Sequence, residues 1–432
     1  MNAAPLARPT TLAGWLAWQE RLHHRTMDFG LARIGEVAGR LAPWPPARRV
    51  ITVGGTNGKG SAVALLEAIL RAAGYRVGAY TSPQLQRFTD QIRIHGMEAT
   101  DHALCESFQR VEAARGGVPL TAFEFTTLAV LDLFHHAALD VALLEVGLGG
   151  RLDAVNVVDG DASLITTVDL DHQDWLGPDR ESIGWHKAGI FRPGRVAVCA
   201  DPGPPRRLLE HADAIGARLS LRDRDFGFTP VDEARWVWWG ADIRLELPRP
   251  ALPGEHQLAN AAGVLALLHA LAPDLPVNEA AIRQGLAGAR LIGRLQIFPG
   301  PVQWWLDVAH NRQAIAALAE ALAASPVAGR TLAVVAMRGD KDATALAALA
   351  GLVDVWYPAS LPGARGREAA SLVELIGDWP GAVRPRAHPD VLAACEAAAG
   401  DARQGDRIVV FGSFVTVATV LEADPMRHWN HG

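Results

Sequence analysis

Cysteine is scarce in this chain: three residues in 432, Cys105, Cys199 and Cys395, with no CxxC pair among them. An odd, widely spaced set excludes a disulfide framework and fits a reducing compartment, where each thiol serves as a small buried apolar group. Positive charge is in deficit as well. Lys and Arg number 41 against 47 Asp and Glu, a net charge of −6, so the basic footprint of a DNA- or RNA-binding protein is missing. An anionic substrate would have to be small and met by local positive groups. Nowhere do about 18 apolar residues run uninterrupted, and charges and histidines soon interrupt the N-terminal stretch. Neither a membrane span nor a secretory leader is expected, which leaves a soluble cytoplasmic protein as the expectation.

What the chain has in quantity is apolar residues, 49% against 20% charged, the balance of a folded globular protein. Its length exceeds one ordinary core and predicts two domains. Short β-branched runs alternate with alanine- and leucine-rich stretches, the pattern of an α/β fold with a mainly parallel sheet. The alanine richness follows no repeat; it suits helix propensity and close helix-on-sheet packing. Strands are expected at 50–53, 76–80, 141–145, 164–168 and 196–199, and again at 332–336, 353–357 and 408–411. Helices are expected at 62–73, 260–271 and 314–323. Residues 235–247 (RWVWWGADIRLEL) alternate around Gly240-Ala241-Asp242 and read as an appended β-hairpin. A glycine-rich stretch, GLAGARLIGR at 285–294, follows a helix near 279–285 and precedes a second series of α/β units. The division is placed near residue 291, with a larger domain over 1–291 and a smaller, Rossmann-like α/β domain over 292–432.

The first strand runs into Gly54-Gly55-Thr56-Asn57-Gly58-Lys59-Gly60-Ser61, followed at once by a helical stretch. Glycines let a backbone turn tightly and approach phosphates. The exposed amides and helix N-terminus favour negative charge, and Lys59 adds a positive point charge. Strand before and helix after favour a phosphate loop over a glycine-rich turn with a solvated lysine. Gly60 stands where the general pattern has Ser or Thr, and the hydroxyl of Ser61 comes one position later.

That loop variant, GTNGKGS, resembles the nucleotide loop of the Mur ligase superfamily, and within it the folylpolyglutamate synthase / dihydrofolate synthase family, in its bifunctional bacterial form. The resemblance continues through TSPQLQRFTDQIRI (81–94), FEFTTLA (123–129), EVGLGGRLDAVNVV (145–158) and LDHQDWLGPDRESIGWHKAGIFRPG (170–194). It extends to PGEHQLANAAG (253–263), GRLQ (293–296), LDVAHN (306–311), GDKD (339–342) and GSFVTVA (412–418). It implies an ATP- and pterin-binding first domain and a glutamate-ligase second domain. ATP would contact Asn57, Gly58, Lys59, Gly60, Ser61, Asn260, Arg294 and Asp307.

Glu145 ends an apolar run, and Asp169, Asp171 and His172 follow another, so both groups fall at the C-terminal edge of buried strands, where open α/β sheets bind ligands. Ser82 follows a third. Magnesium prefers oxygen ligands and keeps several waters, so a few protein groups suffice. The resemblance implies that Ser82, Glu145 and His172 hold Mg²⁺ against the phosphates; on the residues alone, a helix-capping Glu145 and a turn histidine at 172 remain open. Lys187 lies among apolar residues in IGWHKAGI, where desolvation favours the neutral amine and permits a carbamate with CO₂. The resemblance implies that carboxylated lysine as a ligand of a second Mg²⁺; spacing alone suggests a surface lysine or an ion-pair partner. A monovalent cation is a further candidate cofactor.

The resemblance also marks a pterin-binding set: Asp28, Phe29 and Gly30; Thr121, Ala122, Phe123 and Glu124; and Leu152, Asp153 and Ala154. A ring such as Phe123 can stack on a flat heterocycle and Asp153 can accept its amino hydrogens, although helical periodicity would equally put Phe123 in the core. His310 resembles a position near the reacting phosphate or the incoming amino acid and joins Lys59, His172 and Lys187 as a catalytic candidate. An ion pair between domains is the alternative for Arg294 and Asp307. Gln84, Val155, His186 and Val415 depart from the family pattern; His186 stands where relatives often carry glutamate.

The implied reaction is an ATP-dependent amide synthesis through an acyl phosphate, joining L-glutamate to 7,8-dihydropteroate or to tetrahydrofolate and its glutamates, by a monomer without nucleic-acid or membrane partners. The alternatives are an inactive relic acting as a nucleotide-binding regulator, and another Mur-type amino-acid ligase. A UDP-sugar ligase would need a further domain before the loop, and too little chain precedes residue 54 for one of ordinary size.

Overall fold

A computed structural model describes residues 8–41, 45–379 and 384–424. Two compact units emerge from its contacts. The first takes the chain up to Ser82, then Thr89–Ala251 and Ala259–Ala289; the second takes Pro83–Phe88, Leu252–Leu258 and the chain from Arg290 onward.

The first unit is built on an eight-stranded sheet comprising β1 (Ala47–Gly54), β2 (Val77–Tyr80), β3 (Ile92–Ile94), β4 (Met97–Glu98), β5 (Leu139–Glu145), β6 (Ala162–Ile165), β7 (Val196–Cys199) and β8 (Arg218–Leu221). Their spatial order is β4-β3-β2-β5-β1-β6-β7-β8. Pairing is parallel from β2 to β8, and β3 and β4 add an antiparallel edge. The central strands are near-continuous apolar runs because helices cover both faces of a parallel sheet, and β5, β6 and β7 are buried almost throughout. The strand expected over 164–168 instead ends at Ile165. Thr166 and Thr167 leave the ladder because their polar groups turn toward the loop after β1. The helix expected from residue 62 begins at Lys59, where Gly58 in the left-handed region (φ +86°) starts the first turn.

The expected hairpin is present as β10 (Arg235–Trp239) and β11 (Arg244–Pro248), joined by β9 (Gly227–Pro230) in a three-stranded antiparallel sheet. Alternation buries Trp236 and Trp238, and the indole N–H of Trp238 donates to the Ala262 carbonyl at 3.2 Å, docking the sheet on the helix His256–Ala270. All three cysteines are free and buried. Among the described residues no helix is long and apolar enough to cross a membrane.

The second unit has five strands, β12 (Gln296–Phe298), β13 (Gln303–Leu306), β14 (Thr331–Val335), β15 (Val355–Pro358) and β16 (Arg407–Phe411), in the order β12-β13-β16-β14-β15. Only β12 runs antiparallel. Strand periodicity divides its core in two. Trp305, Val335, Val409 and Phe411 face one cluster with Ile315 and Leu318, while Trp304, Leu306, Val334 and Val410 face another with Ala394 and Val420.

Candidate active site

β1 lies between β5 and β6, and the chain leaves it first toward β2 on one side and later crosses from β5 to β6 on the other. Such a reversal of strand order opens a crevice beyond the C-terminal strand ends. Register aligns those ends: Val53 pairs with Glu145, Gly54 with Ile165, and Tyr80 with Leu144. The glycine loop, Ser82, Glu145 and the segment 166–172 therefore leave the sheet at one level.

The loop's shape is dictated by its glycines. Gly55 (φ +147°) and Gly58 (φ +86°) occupy backbone conformations that side chains resist, and a Cβ at either would collide with Thr166 or Asn260 respectively. The loop is then stapled to the segment after β6. Thr56 N–H donates to the Thr167 carbonyl at 2.7 Å, and Asn57 N–H donates to Thr167 Oγ1 at 3.1 Å. The Thr56 hydroxyl donates to the Asp169 carbonyl at 3.1 Å and accepts the Asp169 N–H at 3.0 Å. Thr166 and Thr167 went unnoticed in the sequence; two hydroxyls directly after a buried strand were the available signal. Lys59 Nζ donates to the carbonyls of Gly55 and Thr56, both at 3.1 Å, which holds the ammonium over the loop. Gly60 and Ser61 are buried in the first turn of the helix Lys59–Ala72, whose N-terminal dipole points at the same place.

Beside the loop, Ser82 N–H donates to Glu145 Oε2 at 3.3 Å, and Glu145 is buried. His172 holds a left-handed backbone (φ +52°) as the cap before the short helical turn Gln173–Leu176, with Nε2 3.9 Å from Asp171 Oδ1. Among the described residues no three His, Cys, Asp or Glu side chains gather into a self-sufficient metal cage. One hydroxyl, one carboxylate and one imidazole fit instead an ion that keeps waters and completes its shell with phosphate oxygens, as magnesium does.

Lys187 is only 3% exposed, in the helix Arg180–Ala188. Burial, and after it the positive charge of Lys59, lowers its pKa to about 7, while Asp171 pulls the other way. The surface-lysine alternative is thereby removed, and a neutral amine is available near neutral pH.

The pterin set separates into two kinds of carboxylate. Glu124 completes a capping box with Thr121 at the start of the helix Ala122–His136: Thr121 N–H donates to Glu124 Oε2 at 2.8 Å, and Glu124 N–H to Thr121 Oγ1 at 3.2 Å. Arg33 bridges Glu124 (3.2 Å) to Asp28 (2.7 Å). Both acids are thus engaged by groups of the chain itself. Asp153 differs: Oδ2 accepts the Leu148 N–H at 2.8 Å and Oδ1 the Val155 N–H at 3.1 Å, which leaves lone pairs on both oxygens. Burial raises its pKa to about 6, against the opposing effect of those amides and Lys59. Gly147, also unnoticed in the sequence, is where ring and acid meet: a Cβ there would lie 2.8 Å from Phe123 and 3.3 Å from Asp153. Phe123 is half-buried, its ring stacked 6.3 Å from Tyr80. Phe29 meets the exposed ring of Trp175 edge-on at 5.0 Å, and Leu152 is likewise exposed. Ala122 opens its helix and Ala154 is buried, while Gly30 (φ +150°) leaves open space at its α-carbon.

Asn260 approaches the glycine loop in the first unit. Arg294 and Asp307 both belong to the second unit, so the alternative of an ion pair between domains lapses. Asp307 follows β13 and accepts the N–H groups of Leu295 and Ala309, each at 2.7 Å. Arg294 stacks its guanidinium 4.9 Å from the Phe414 ring. His310 donates from Nδ1 to the Val308 carbonyl at 2.7 Å, which makes Nε2 the acceptor of the neutral ring.

Residues 293–414 match the family model described as "Mur ligase, glutamate ligase domain". The dihydrofolate synthase/folylpolyglutamate synthase of Escherichia coli is 46% identical over 413 residues, 95% of each chain. Among solved structures, E. coli FolC in complex with DHPP and ADP superposes with a TM-score of 0.92 at 45% identity, covering 97% of this chain and 99% of that one. A bifunctional folylpolyglutamate synthase/dihydrofolate synthase with Mn, AMPPNP and L-glutamate bound gives 0.89 at 46% identity, covering 96% and 99%.

Proposed function

Because this chain belongs to the dihydrofolate synthase/folylpolyglutamate synthase family and is an ATP-dependent ligase of glutamate to folate-type acids, we propose that its reaction is carried by the groups assembled at the ends of β1, β2, β5 and β6. The observation that carries this reading is the shared level of the glycine loop, Ser82, Glu145 and the segment up to His172, with buried Lys187 close enough to Lys59 to feel its charge. The domains are assigned as 1–291 for nucleotide and pterin and 292–432 for glutamate ligation.

A carboxylate resists attack by an amine in water, so it must first be converted into a better electrophile. The substrate carboxylate oxygen attacks the γ-phosphorus of ATP, ADP departs, and an acyl phosphate remains. The amino group of L-glutamate then adds to the acyl carbon, a proton leaves the nitrogen, and orthophosphate is expelled as the amide forms. The loop amides of Asn57 to Ser61 cradle phosphate oxygens, and Lys59 swings from the Gly55 and Thr56 carbonyls to the transferring group, offsetting its charge. Arg294, Asp307 and Asn260 are assigned to the same nucleotide. Asp153 accepts the pterin amino hydrogens, with Phe123 flanking the ring. His310 Nε2 is assigned to the proton released by the attacking amine. Ser82, Glu145 and His172 would hold a divalent ion, and carboxylated Lys187 a second, which would supply further charge neutralisation at the phosphates. Both dihydropteroate and tetrahydrofolate serve as acceptors in this reading, and the protein works as a cytoplasmic monomer.

The test is ATP- and glutamate-dependent phosphate release, measured side by side with dihydropteroate and tetrahydrofolate, with the amide product identified by mass. Turnover of both acids is expected. Phosphate release without a new amide, or none with either acid, overturns the reading. For Lys187, labelling with ¹³C-bicarbonate is expected to give a carbamate carbon resonance that disappears in Lys187→Ala.

A further inference from the structure

The helix Arg180–Ala188 carries, one residue before His186, an indole around which positive charge collects. The Arg151 guanidinium lies 3.9 Å from the centre of the Trp185 ring, and the Arg207 guanidinium 5.4 Å from it. Arg151 Nη2 donates to the Trp185 carbonyl at 3.3 Å and stands 3.4 Å from His211 Nε2. The His186 ring meets Trp185 edge-on at 5.0 Å. Two arginines and His186 thus meet one indole, with His211 beside Arg151.

Among the described residues no acid forms an ion pair with this cluster: neither Arg151 nor Arg207 has one, and Arg151 Nε is buried without a hydrogen-bond partner. The neighbouring carboxylates are committed elsewhere. Glu181 spends its two oxygens on the backbone N–H groups of Arg206 and Arg207, at 3.1 and 2.8 Å. Asp179 caps its own helix through Ser182 and feels the charge of Arg207 only as a lesser influence, and Glu210 pairs with Arg206. Like charges left together are mutually unfavourable: Arg207 helps to lower the pKa of Arg151, and Arg151 that of His211, in both cases behind the effect of burial. An arrangement of this kind is relieved by an anion, and paired guanidiniums suit carboxylates, which they grip in a fork. Arg207 is exposed and the other members half-buried, so solvent and a ligand can reach the group.

Its place in the chain indicates which anion. Arg151 immediately precedes Leu152 and Asp153, and its N–H donates to the His186 carbonyl at 2.8 Å, next to Lys187. The cluster is therefore anchored to the same segments that hold the acceptor substrate in the proposed reaction. Every glutamate added by a γ-linkage leaves one α-carboxylate behind, so an elongating substrate gains a negative charge per cycle while its pterin end does not change. We propose that Arg151 and Arg207, assembled on Trp185, together with His211 beside Arg151, form a binding site for the α-carboxylates of the oligo-γ-glutamyl tail. This rests on the proposed acceptor specificity, and it makes the cluster a determinant of how well elongated folates compete with unelongated ones.

Arg207 is the residue to change, because it is exposed and its bond to Glu181 is made by the backbone, which a substitution leaves in place. Wild type, Arg207→Glu and Arg207→Lys are compared with dihydropteroate and with tetrahydrofolate carrying one, two or three glutamates. In Arg207→Glu, KM for the di- and triglutamate is expected to rise roughly tenfold with kcat little altered, the size of one charge-assisted contact at a partly exposed site. KM for dihydropteroate should stay within about twofold, and Arg207→Lys should recover most of the loss. In parallel, tri-γ-glutamate without a pterin is titrated calorimetrically against both proteins, with inorganic phosphate as the competing anion. Binding to wild type, lost in Arg207→Glu and stronger than that of phosphate, is expected. Equal KM changes for all acceptors, no change for any, or phosphate binding as tightly as triglutamate would each overturn the tail site. A wild type that ligates no pterin acid would instead sink the reaction assigned above, and the peptide titration would still decide whether the cluster holds carboxylates.

Discussion

The glycine loop and the pterin stretch lie in the same unit and present opposite kinds of surface. In the loop, recognition is done by backbone: two glycines in conformations closed to other residues, amides turned one way, and threonines from the segment after β6 holding them there. In the pterin stretch, recognition falls to side chains, and most of the polar ones are already employed. Thr121 and Glu124 cap a helix, and Asp28 is tied to Arg33, which leaves Asp153 beside Phe123. A site built from backbone needs a fixed string of residues, whereas one built from side chains depends on which of them the fold has left available.

That contrast is broken most severely at Lys59. Lys59→Ala removes the only side-chain charge of the loop while leaving its backbone intact. A fall in kcat of at least roughly a thousandfold is expected, the scale of losing a principal electrostatic contact to the transferring phosphoryl group. The melting temperature should stay within about 2 °C, since the ammonium donates to carbonyls of its own loop, Gly55 and Thr56. Near-normal turnover would show that the loop works by backbone alone.

Gly58→Ala asks the reverse question. The new methyl would be forced into a left-handed backbone and against the Asn260 amide. A strain of about 1–2 kcal/mol is expected from the backbone alone, and with the collision kcat/KM should fall roughly a hundredfold, through KM for ATP as much as kcat. An ATP affinity equal to that of wild type would mean that the loop's shape is not what grips the nucleotide.

The same contrast explains what was legible in advance. GTNGKGS after a β-branched run could be read as a phosphate loop because its glycines have no other economical use at that spacing, and the strand ends at Glu145 and Ser82 followed from the apolar runs before them. The end of β6 was not legible. Thr166 and Thr167 continue an apolar, β-branched stretch in the sequence and part from the ladder only because the loop needs their hydroxyls and carbonyls. Nor could the sequence tell that Glu124 caps a helix while Asp153 faces a ring, since both are single acids beside hydrophobic residues. The arginines around Trp185 were invisible for a similar reason: Arg151, Trp185 and Arg207 are 34 and 22 positions apart, and only the packing of their segments brings them onto one ring.

Asp153 offers a milder test with a pH signature. Its pKa of about 6 lies above the ordinary 3.8, so protonation is favoured in the folded protein. The stability contributed by the protonated form is complete below about 4 and is lost as pH rises through 6. Pterin recognition runs the other way, because the acceptor is the ionised carboxylate. KM for dihydropteroate should climb as pH falls from 7 to 5, with an apparent pKa near 6. In Asp153→Asn it should be raised roughly tenfold at pH 7.5 and lose its dependence on pH in this range. A mutant KM profile still bending near 6 would assign the titration to another group.

Thr121 carries the smallest expected effect and separates the two roles most cleanly. If the hydroxyl serves only the capping box, Thr121→Ala removes one acceptor for the Glu124 N–H and unsettles the return bond from the Glu124 carboxylate to the Thr121 N–H. That costs about 1 kcal/mol and lowers the melting temperature by about 1–3 °C in a chain of this size. KM for dihydropteroate should then stay within about twofold, because the remaining tie of Glu124 to Arg33 keeps the helix start in place beside Phe123. A mutant with unchanged melting temperature and a KM raised tenfold would move Thr121 from the framework to the ligand. The division between employed and available side chains would then have to be redrawn around the helix start itself.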